Sequence, residues 1–445
     1  MPDPDPDVAR RTRRKVARRA LPLLFALYVV AYLDRANISF AKLRMQDALG
    51  FSDTVFGWGI GLFFVGYLFL EIPGALLVER WSARKWFARI LVTWGVCSMG
   101  MAFVRTPAEF YTLRFLLGLA EAGFFPGVIV YFTHWFPRAD RARALTGMLV
   151  GIPISLSLGA VVSRWLLAQD WYGYAGWQWV FLAEGAPAVL LGIAVPFLLT
   201  DRPAQAKWLT PDERAWLEAT LDAERRETAT VAMRVRDALK LPTVWLLALG
   251  IFATNVGGYA FVFWLPTAVK GLLAGMGGGS DDAAVLAWSS VVYLCGLAGV
   301  VTSGWRSDRT GDRKWHTFAG QTGTALFLVL STLPGQPWAV VFGWLCLAGF
   351  FAHFWYTPFW VLPTLSLTLS AAAVAIGFIN MWANLAGAVG SPVVGALRDA
   401  GLDDRGCLLV LAAGFTVGAA FVAAVPVRTT PVASPVGGTG GTPGD

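Results

Sequence analysis

Charge is scarce in this chain: Asp, Glu, Lys and Arg together make up 15% of its 445 residues, against about 25% in an average soluble domain. Hydrophobic residues make up 56%, and the mean hydropathy is +0.56. That balance excludes a soluble globular protein. Cysteine is also sparse. Cys97, Cys295, Cys346 and Cys407 lie in or beside apolar runs with no paired spacing, so neither a disulfide framework nor a metal site is expected. With only 3 histidines and no H-E-x-x-H motif, clustered metal ligands or nucleophile elbow, an enzyme is not expected and no cofactor is implied.

Long apolar runs take the place of what is missing. Twelve of them, each long enough to cross a hydrocarbon core of about 30 Å as a helix, cover approximately 21–40, 54–78, 86–104, 108–132, 145–166, 178–199, 243–269, 285–304, 316–333, 338–362, 372–396 and 406–427. Placing the N-terminus inside, and counting Arg89 and Arg164 at run ends with the nearer side, puts 27 Lys and Arg on the cytoplasmic side and 7 outside, with Arg35 and Arg114 deep within the runs. The reverse orientation would invert a strong positive-inside bias, so both termini are expected in the cytoplasm. The net charge of +7 follows from the same bias and calls for no nucleic-acid partner. "RRTRRKVARRA" precedes the first run without a small-residue cleavage site and reads as a retained cytoplasmic anchor.

The expected organisation is a basic N-terminus (1–20), six helices (21–200), a polar linker (201–240), six more helices (241–428) and a disordered Gly/Pro/Thr-rich tail (429–445). In the linker, Thr210, Pro211 and Glu213 are spaced as a capping box that opens a short helix.

The two halves repeat a signature. "ALLVERWSARK" follows the second run and "GWRSDRTGDRK" the eighth, so Glu79, Arg80 and Arg84 align with Asp308, Arg309 and Arg313. An acid at a helix end facing arginines can hold neighbouring helices in one of two packings, which suits a gate.

These paired loops resemble the repeated loop motif of the major facilitator superfamily. The second copy, Gly304 to Lys314, fits it closely; the first has Ala75 for a usual Gly, Glu79 for Asp and Ser82 for the second Gly. "YLDRANISFA", "LRFLLGLAEAGFFPG", "HWFPRADRARA", "FLAEGAPAVLLG", "DRPAQAKWLTPDERAWL", "FWLPT", "PFWVLP" and "GFINMWANLAG" together resemble the anion:cation symporter family, near its tartrate-transporter-like members. The resemblance implies a monomeric carrier in the bacterial cytoplasmic membrane, importing a small organic carboxylate.

Four acids lie well inside the runs, away from their ends, Asp34, Glu71, Glu121 and Glu184, and all belong to the first half with Arg35 and Arg114. Ionisable residues at membrane depth have partners or functions, because burying them unpaired is costly. At 1.5 Å per residue, Asp34 lies roughly 20 Å in and Arg114 roughly 9 Å from the outer end, so the two are level; Glu121 follows Arg114 by about two turns on the same face. A guanidinium fork matches a carboxylate, and a carboxyl that gains a proton there removes a competing charge. In similar galactonate and related organic-anion carriers the matching residues serve proton coupling and anion binding. The resemblance therefore assigns Asp34 and Glu121 to coupling and Arg35 and Arg114 to the anion. Protons are the expected coupling ion, and sodium is not excluded.

Tyr67, Asn37, Tyr259, Trp264, His353, Asn380 and Asn384 complete the candidate substrate wall, largely neutral in the second half. A packing role for Tyr67 and His353, and a helix-gluing role for the asparagines, stay open. Glu71 is read as bonding to a helix terminus and Glu184 as structural. Gly123, Pro126, Gly127, Pro153, Pro363 and Pro392 mark places where a run can bend. "GIPISLSLGAVVS" lacks the G-P-x-x-G-G pattern of proton antiporters, which weighs against an exporter of amphipathic compounds. That exporter and a non-transporting sensor remain the competing readings.

Overall fold

The computed structural model describes residues 6–229, 237, 239–275, 281–367 and 369–426, so the whole of the expected disordered tail (429–445) lies outside the described residues. In the first half the helices are α1 (Pro6–Leu49), α2 (Asp53–Arg80), α3 (Ala83–Gly100), α4 (Pro107–Glu121), α5 (Phe124–Trp135), α6 (Arg138–Leu149), α7 (Gly151–Leu167) and α8 (Gly176–Leu198). The linker contributes α9 (Pro211–Ala229). The second half contains α10 (Pro242–Gly275), α11 (Asp282–Thr310), α12 (Lys314–Ser331), α13 (Trp338–Phe354), α14 (Tyr356–Phe359), α15 (Leu362–Ser366), α16 (Leu369–Asp399) and α17 (Asp404–Ala424).

Counting α4–α5, α6–α7 and α13–α15 each as one broken span, the described residues form the expected twelve spans. A helix satisfies all its backbone groups internally, which is why these runs cross as helices. Polar residues stop and start them at the turns. Ser52, Ser82 and Asp281 each accept the amide three residues on, and Thr106 with Glu109 closes a capping box. The crossings end alternately on two faces, one carrying α9 and the start of α1 (the linker face) and one opposite (the far face). Large exposed aromatics mark both rims: Trp81, Trp305 and Trp315 at the linker face, Trp165 and Trp171 at the far face, as expected where rings anchor at lipid headgroups.

Within the first half α3 packs on α8 and α2 on α4; within the second α10 packs on α17 and α11 on α13. The halves meet where α2 lies along α16 and α7 along α11, an exchange that relates span two to eight and span five to eleven. Apolar side chains gain little by leaving lipid, so small residues that admit close backbones carry much of this packing. A Cβ on Gly118 of α4 would fall 2.0 Å from the Phe63 carbonyl oxygen of α2.

The fourth span, where Gly123 marked a possible bend, is two helices. Ala122 is extended (ψ 141°) and Gly123 is left-handed (φ 83°), and a Cβ there would meet Gly74 Cα at 2.7 Å. Glycine alone combines that backbone with that approach. Pro392, in contrast, sits inside an unbroken α16.

The basic N-terminal segment is not separate from the first span. It forms the opening turns of a 44-residue α1, about 66 Å long at 1.5 Å per residue, and docks on the linker. Arg11 and Lys15 both reach Glu213 at 2.9 Å, Arg11 reaches Asp212 at 2.6 Å, and Arg13 pairs with Asp140. Half of the predicted capping box forms: Glu213 accepts the Thr210 amide at 3.0 Å, while the Thr210 hydroxyl turns to Asp212. Burial acts to raise the Glu213 carboxyl, but Lys15, the Thr210 amide and Arg11 outweigh it and hold it at about 2. Its contribution to docking is therefore complete above its unfolded value of about 4.3 and is lost only as pH falls through about 2.

Candidate functional site

Arg35, in the middle of α1, points between the halves. Its guanidinium donates to Glu121 at the end of α4 and lies among three rings, 5.0 Å from the centroid of Tyr32, 5.3 Å from Phe63 and 5.4 Å from Tyr67. Quadrupoles and carboxylate together hold the cation where lipid would not. Its Nε and the Glu121 Oε2 are buried without a hydrogen-bond partner.

A small cavity of about 30 Å³ adjoins this pair. Arg35, Glu121 and Tyr67 line it from the first half, and Tyr259, Asn380 and Asn384 from the second. A neighbouring cavity of about 70 Å³ shares Tyr32, Tyr259 and Tyr356 and adds His353, Asn255 and Trp355. The structure thus brings six of the sequence candidates onto one space and His353 onto its neighbour. His353 Nδ1 lies 3.2 Å from its own helix's Gly349 carbonyl.

Arg114 is fully buried and stands behind that wall. Its Nε donates to the Gly59 carbonyl at 3.1 Å, its guanidinium lies 5.0 Å from the Phe63 centroid, and both terminal nitrogens lack a partner. The same Phe63 ring therefore touches both guanidinium groups. Of the two buried cations only Arg35 makes a direct carboxylate contact, while the terminal nitrogens of Arg114 make none.

Two expected substrate contacts, Asn37 and Trp264, need correction, and the expected coupling acid Asp34 lies beside Asn37. Asn37 does not reach the cavity: it donates to Asp34 at 3.0 Å and to Ser98 at 3.4 Å inside the α1–α3 interface. Asp34 lies there as well, accepting from Trp94 at 2.5 Å and from the Ser98 hydroxyl. Successive helix residues point about 100° apart, so Arg35 faces the cavity while its neighbour faces α3. Trp264 is also elsewhere, on the far face, with Lys42 Nζ 3.9 Å and the Arg398 guanidinium 5.7 Å from its ring.

The repeated loops likewise do not bridge the halves. Glu79 Oε2 lies 3.2 Å from His134 Nε2, Arg84 pairs with Asp201 at 3.2 Å, and Asp308 pairs with Arg313 at 2.6 Å, each within its own half or its border with the linker. Arg80 and Arg309 are exposed. Among the described residues, the cross-half ion pairs sit on the far face: Asp53 with Arg398 at 2.8 Å and Arg44 with Asp282 at 2.7 Å. Asp399 reinforces them by accepting the amides of Asp53 and Thr54 at 3.1 and 2.8 Å. The halves are thus fastened on the face away from the linker, and the loop motifs border the face without such fastening.

Glu71 has a different place from the one expected. It does not bond to a helix terminus; it accepts from Asn380 and Asn384 of the opposite half. The signal was present as three isolated polar residues in apolar runs, but their pairing crosses 309 residues of chain and no spacing encodes it. Arg89 is a third base near the site, donating to the Ala120 carbonyl at 3.2 Å beside the α4–α5 break. Glu184 accepts from Ser163 at 2.7 Å, in keeping with a structural role.

Two six-span halves closed on one face around buried, paired charges are the build of a membrane transporter. The model described as Major Facilitator Superfamily matches residues 24–391, and the chain belongs to that family. It is 41% identical over 426 residues to a protein of Agrobacterium vitis named "Putative tartrate transporter", with 96% of each chain covered. It is also 37% identical over 397 residues to a "Quinolone resistance transporter" of Acinetobacter baumannii, covering 88% of this chain and 90% of that one. Among solved structures, the xylose transporter XylE from E. coli in a partially occluded inward open conformation has a TM-score of 0.75 at 16% identity, covering 94% of this chain and 99% of that one.

Proposed function

We propose that this transporter carries a small organic carboxylate across the bacterial cytoplasmic membrane together with protons, by alternating opening of its two faces. The observation that carries the reading is the Arg35–Glu121 contact at the cavity wall, backed by the unpartnered fork of Arg114. A substrate carboxylate arriving at Arg35 competes with Glu121. Once displaced, Glu121 is a desolvated acid without its cation, and a proton restores neutrality. Substrate and proton then enter the protein together and leave together, which is symport. Asp34, buried without a basic hydrogen-bond partner, is the second acid on this route.

With the linker face assigned to the cytoplasm on the positive-inside count, the fastened far face makes this an inward-facing state. Outward opening requires the Asp53–Arg398 and Arg44–Asp282 pairs to part. The test is uptake of labelled organic acids into proteoliposomes with and without an inward proton gradient. Gradient-driven accumulation of an acid supports symport; an ion gradient without effect on any acid contradicts it. The aromatic wall of the second cavity and the relative named for quinolone resistance support an exporter of amphipathic compounds as the second reading. It predicts that acid and neutral amide of one compound compete equally.

A further inference from the structure

Asn380 and Asn384 stand one turn apart on α16, and their amides converge on one group. Asn380 Nδ2 donates to Glu71 Oε1, and Asn384 Nδ2 lies 3.1 Å from Oε1 and 3.3 Å from Oε2. The Tyr259 hydroxyl donates to Asn384 Oδ1 at 3.3 Å, orienting that amide so that its NH₂ faces the carboxylate. Glu71 belongs to the first half and the asparagines to the second, so this is a clasp between halves at the cavity's edge. The ionisable groups in electrostatic reach of it are Arg35 from α1, Tyr67 from its own helix and Tyr259 from α10, with Glu121 beyond Tyr67; α16 presents neutral amides. No Lys or Arg hydrogen-bonds to Glu71 among the described residues.

Both sets of donors on this cavity are therefore filled by the protein's own carboxylates: Arg35 by Glu121, and the amide pair by Glu71. Donors that converge on an internal carboxylate fit an external one equally well. Resting on the carboxylate reading above, we propose that the substrate is a dicarboxylate that replaces both. One of its carboxylates takes Arg35 in the first half, and the other takes Asn380 and Asn384 in the second. Glu71, displaced, gains one proton from the aqueous side, as Glu121 does. Two negative charges enter and two protons neutralise two acids, so the charge in the cavity is unchanged and no covalent bond is made or broken. The clasp between halves becomes a bridge through the substrate.

The test uses purified full-length protein in proteoliposomes, with tartrate, malate and succinate as probes and the monoamide of each as competitor. The expected result is a diacid preferred over its monoamide by at least about tenfold, the loss of one charge-assisted contact. In Asn384→Ala that ratio falls below about threefold, whatever the absolute rate, because the second carboxylate has lost a donor. In Glu71→Gln one proton fewer moves per diacid, read as a reversal-potential shift corresponding to one additional negative charge per substrate. Equal competition by diacid and monoamide in the wild type, an unchanged ratio in Asn384→Ala, or an unchanged charge ratio in Glu71→Gln overturns the proposal. Arg35→Ala separates the two levels: if it transports every acid as the wild type does, the carboxylate reading itself fails; if it transports none while the diacid results are negative, only the dicarboxylate assignment falls.

Discussion

Asp53→Asn perturbs the far-face fastening at its centre. In the wild type the Asp53 carboxylate accepts Lys42 at 2.6 Å and Gln46 at 3.1 Å from its own half, and Arg398 at 2.8 Å from the other. Arg398 also pairs with Asp404, so it keeps one partner after the change. Lys42, 2% exposed at its side chain, loses its carboxylate partner and keeps the Trp264 and Phe56 faces and a long contact of 3.4 Å to Thr267. A hydrogen bond to a charged group contributes about 1.5 to 3 kcal/mol. Both side chains of the cross-half pair are partly solvated, 18% and 14% exposed, so a value near 2 kcal/mol is appropriate. That is about a 30-fold shift of the equilibrium towards the state opened on the far face, since 1.4 kcal/mol is tenfold. The readout is a distance distribution between spin labels at Ala48→Cys and Ala400→Cys, both exposed on that face, in a background lacking the 4 native cysteines. A growing long-distance population in Asp53→Asn is expected. An unchanged distribution would refute the view that these pairs hold the face shut.

Three further outcomes follow from the site. Arg114→Lys keeps a charge but loses the fork whose terminal nitrogens are unpartnered, so acid binding should weaken at least about tenfold by calorimetry; wild-type affinity would argue against a role in holding the anion. Asp34→Asn keeps one of the two oxygens that accept from Ser98 and Trp94 while removing the ionisable group, so it should abolish gradient-driven accumulation and spare exchange of labelled for unlabelled acid. Full accumulation would remove Asp34 from coupling. Gly123→Ala imposes a left-handed Cβ against Gly74 and should cost about 1 to 3 kcal/mol, seen as a lower unfolding temperature in detergent; an unchanged temperature would mean the α4–α5 break relaxes freely.

Much of the fold was legible in the sequence because span length and the distribution of Lys and Arg answer to the bilayer itself. The break at Ala122–Gly123 was only hinted at, since a glycine's left-handed backbone leaves no mark that separates it from a packing glycine. Arg35, Glu121, Tyr67, Tyr259 and the α16 asparagines were identifiable as polar residues where lipid tolerates few. Their direction was harder. Asp34 and Asn37 belong to the same polar stretch as Arg35, yet the helix turns them towards Trp94 and Ser98 on α3. Depth along a span can be counted from the sequence, but azimuth depends on which neighbour packs there. The repeated loops marked the duplication correctly, whereas the cross-half pairs lie at residues such as Asp53 and Arg398 that look like ordinary helix-end charges.

The central claim is that Arg35 exchanges Glu121 for a substrate carboxylate and that the exchange takes up a proton. Proton uptake on binding measures it directly, by following a pH indicator in weakly buffered detergent solution as tartrate is added to purified protein. The wild type is predicted to take up protons as the acid binds, Glu121→Gln to bind the acid with about one proton fewer, and the corresponding diamide to elicit none. Acid binding without proton uptake, or with the same uptake in wild type and Glu121→Gln, would contradict the account.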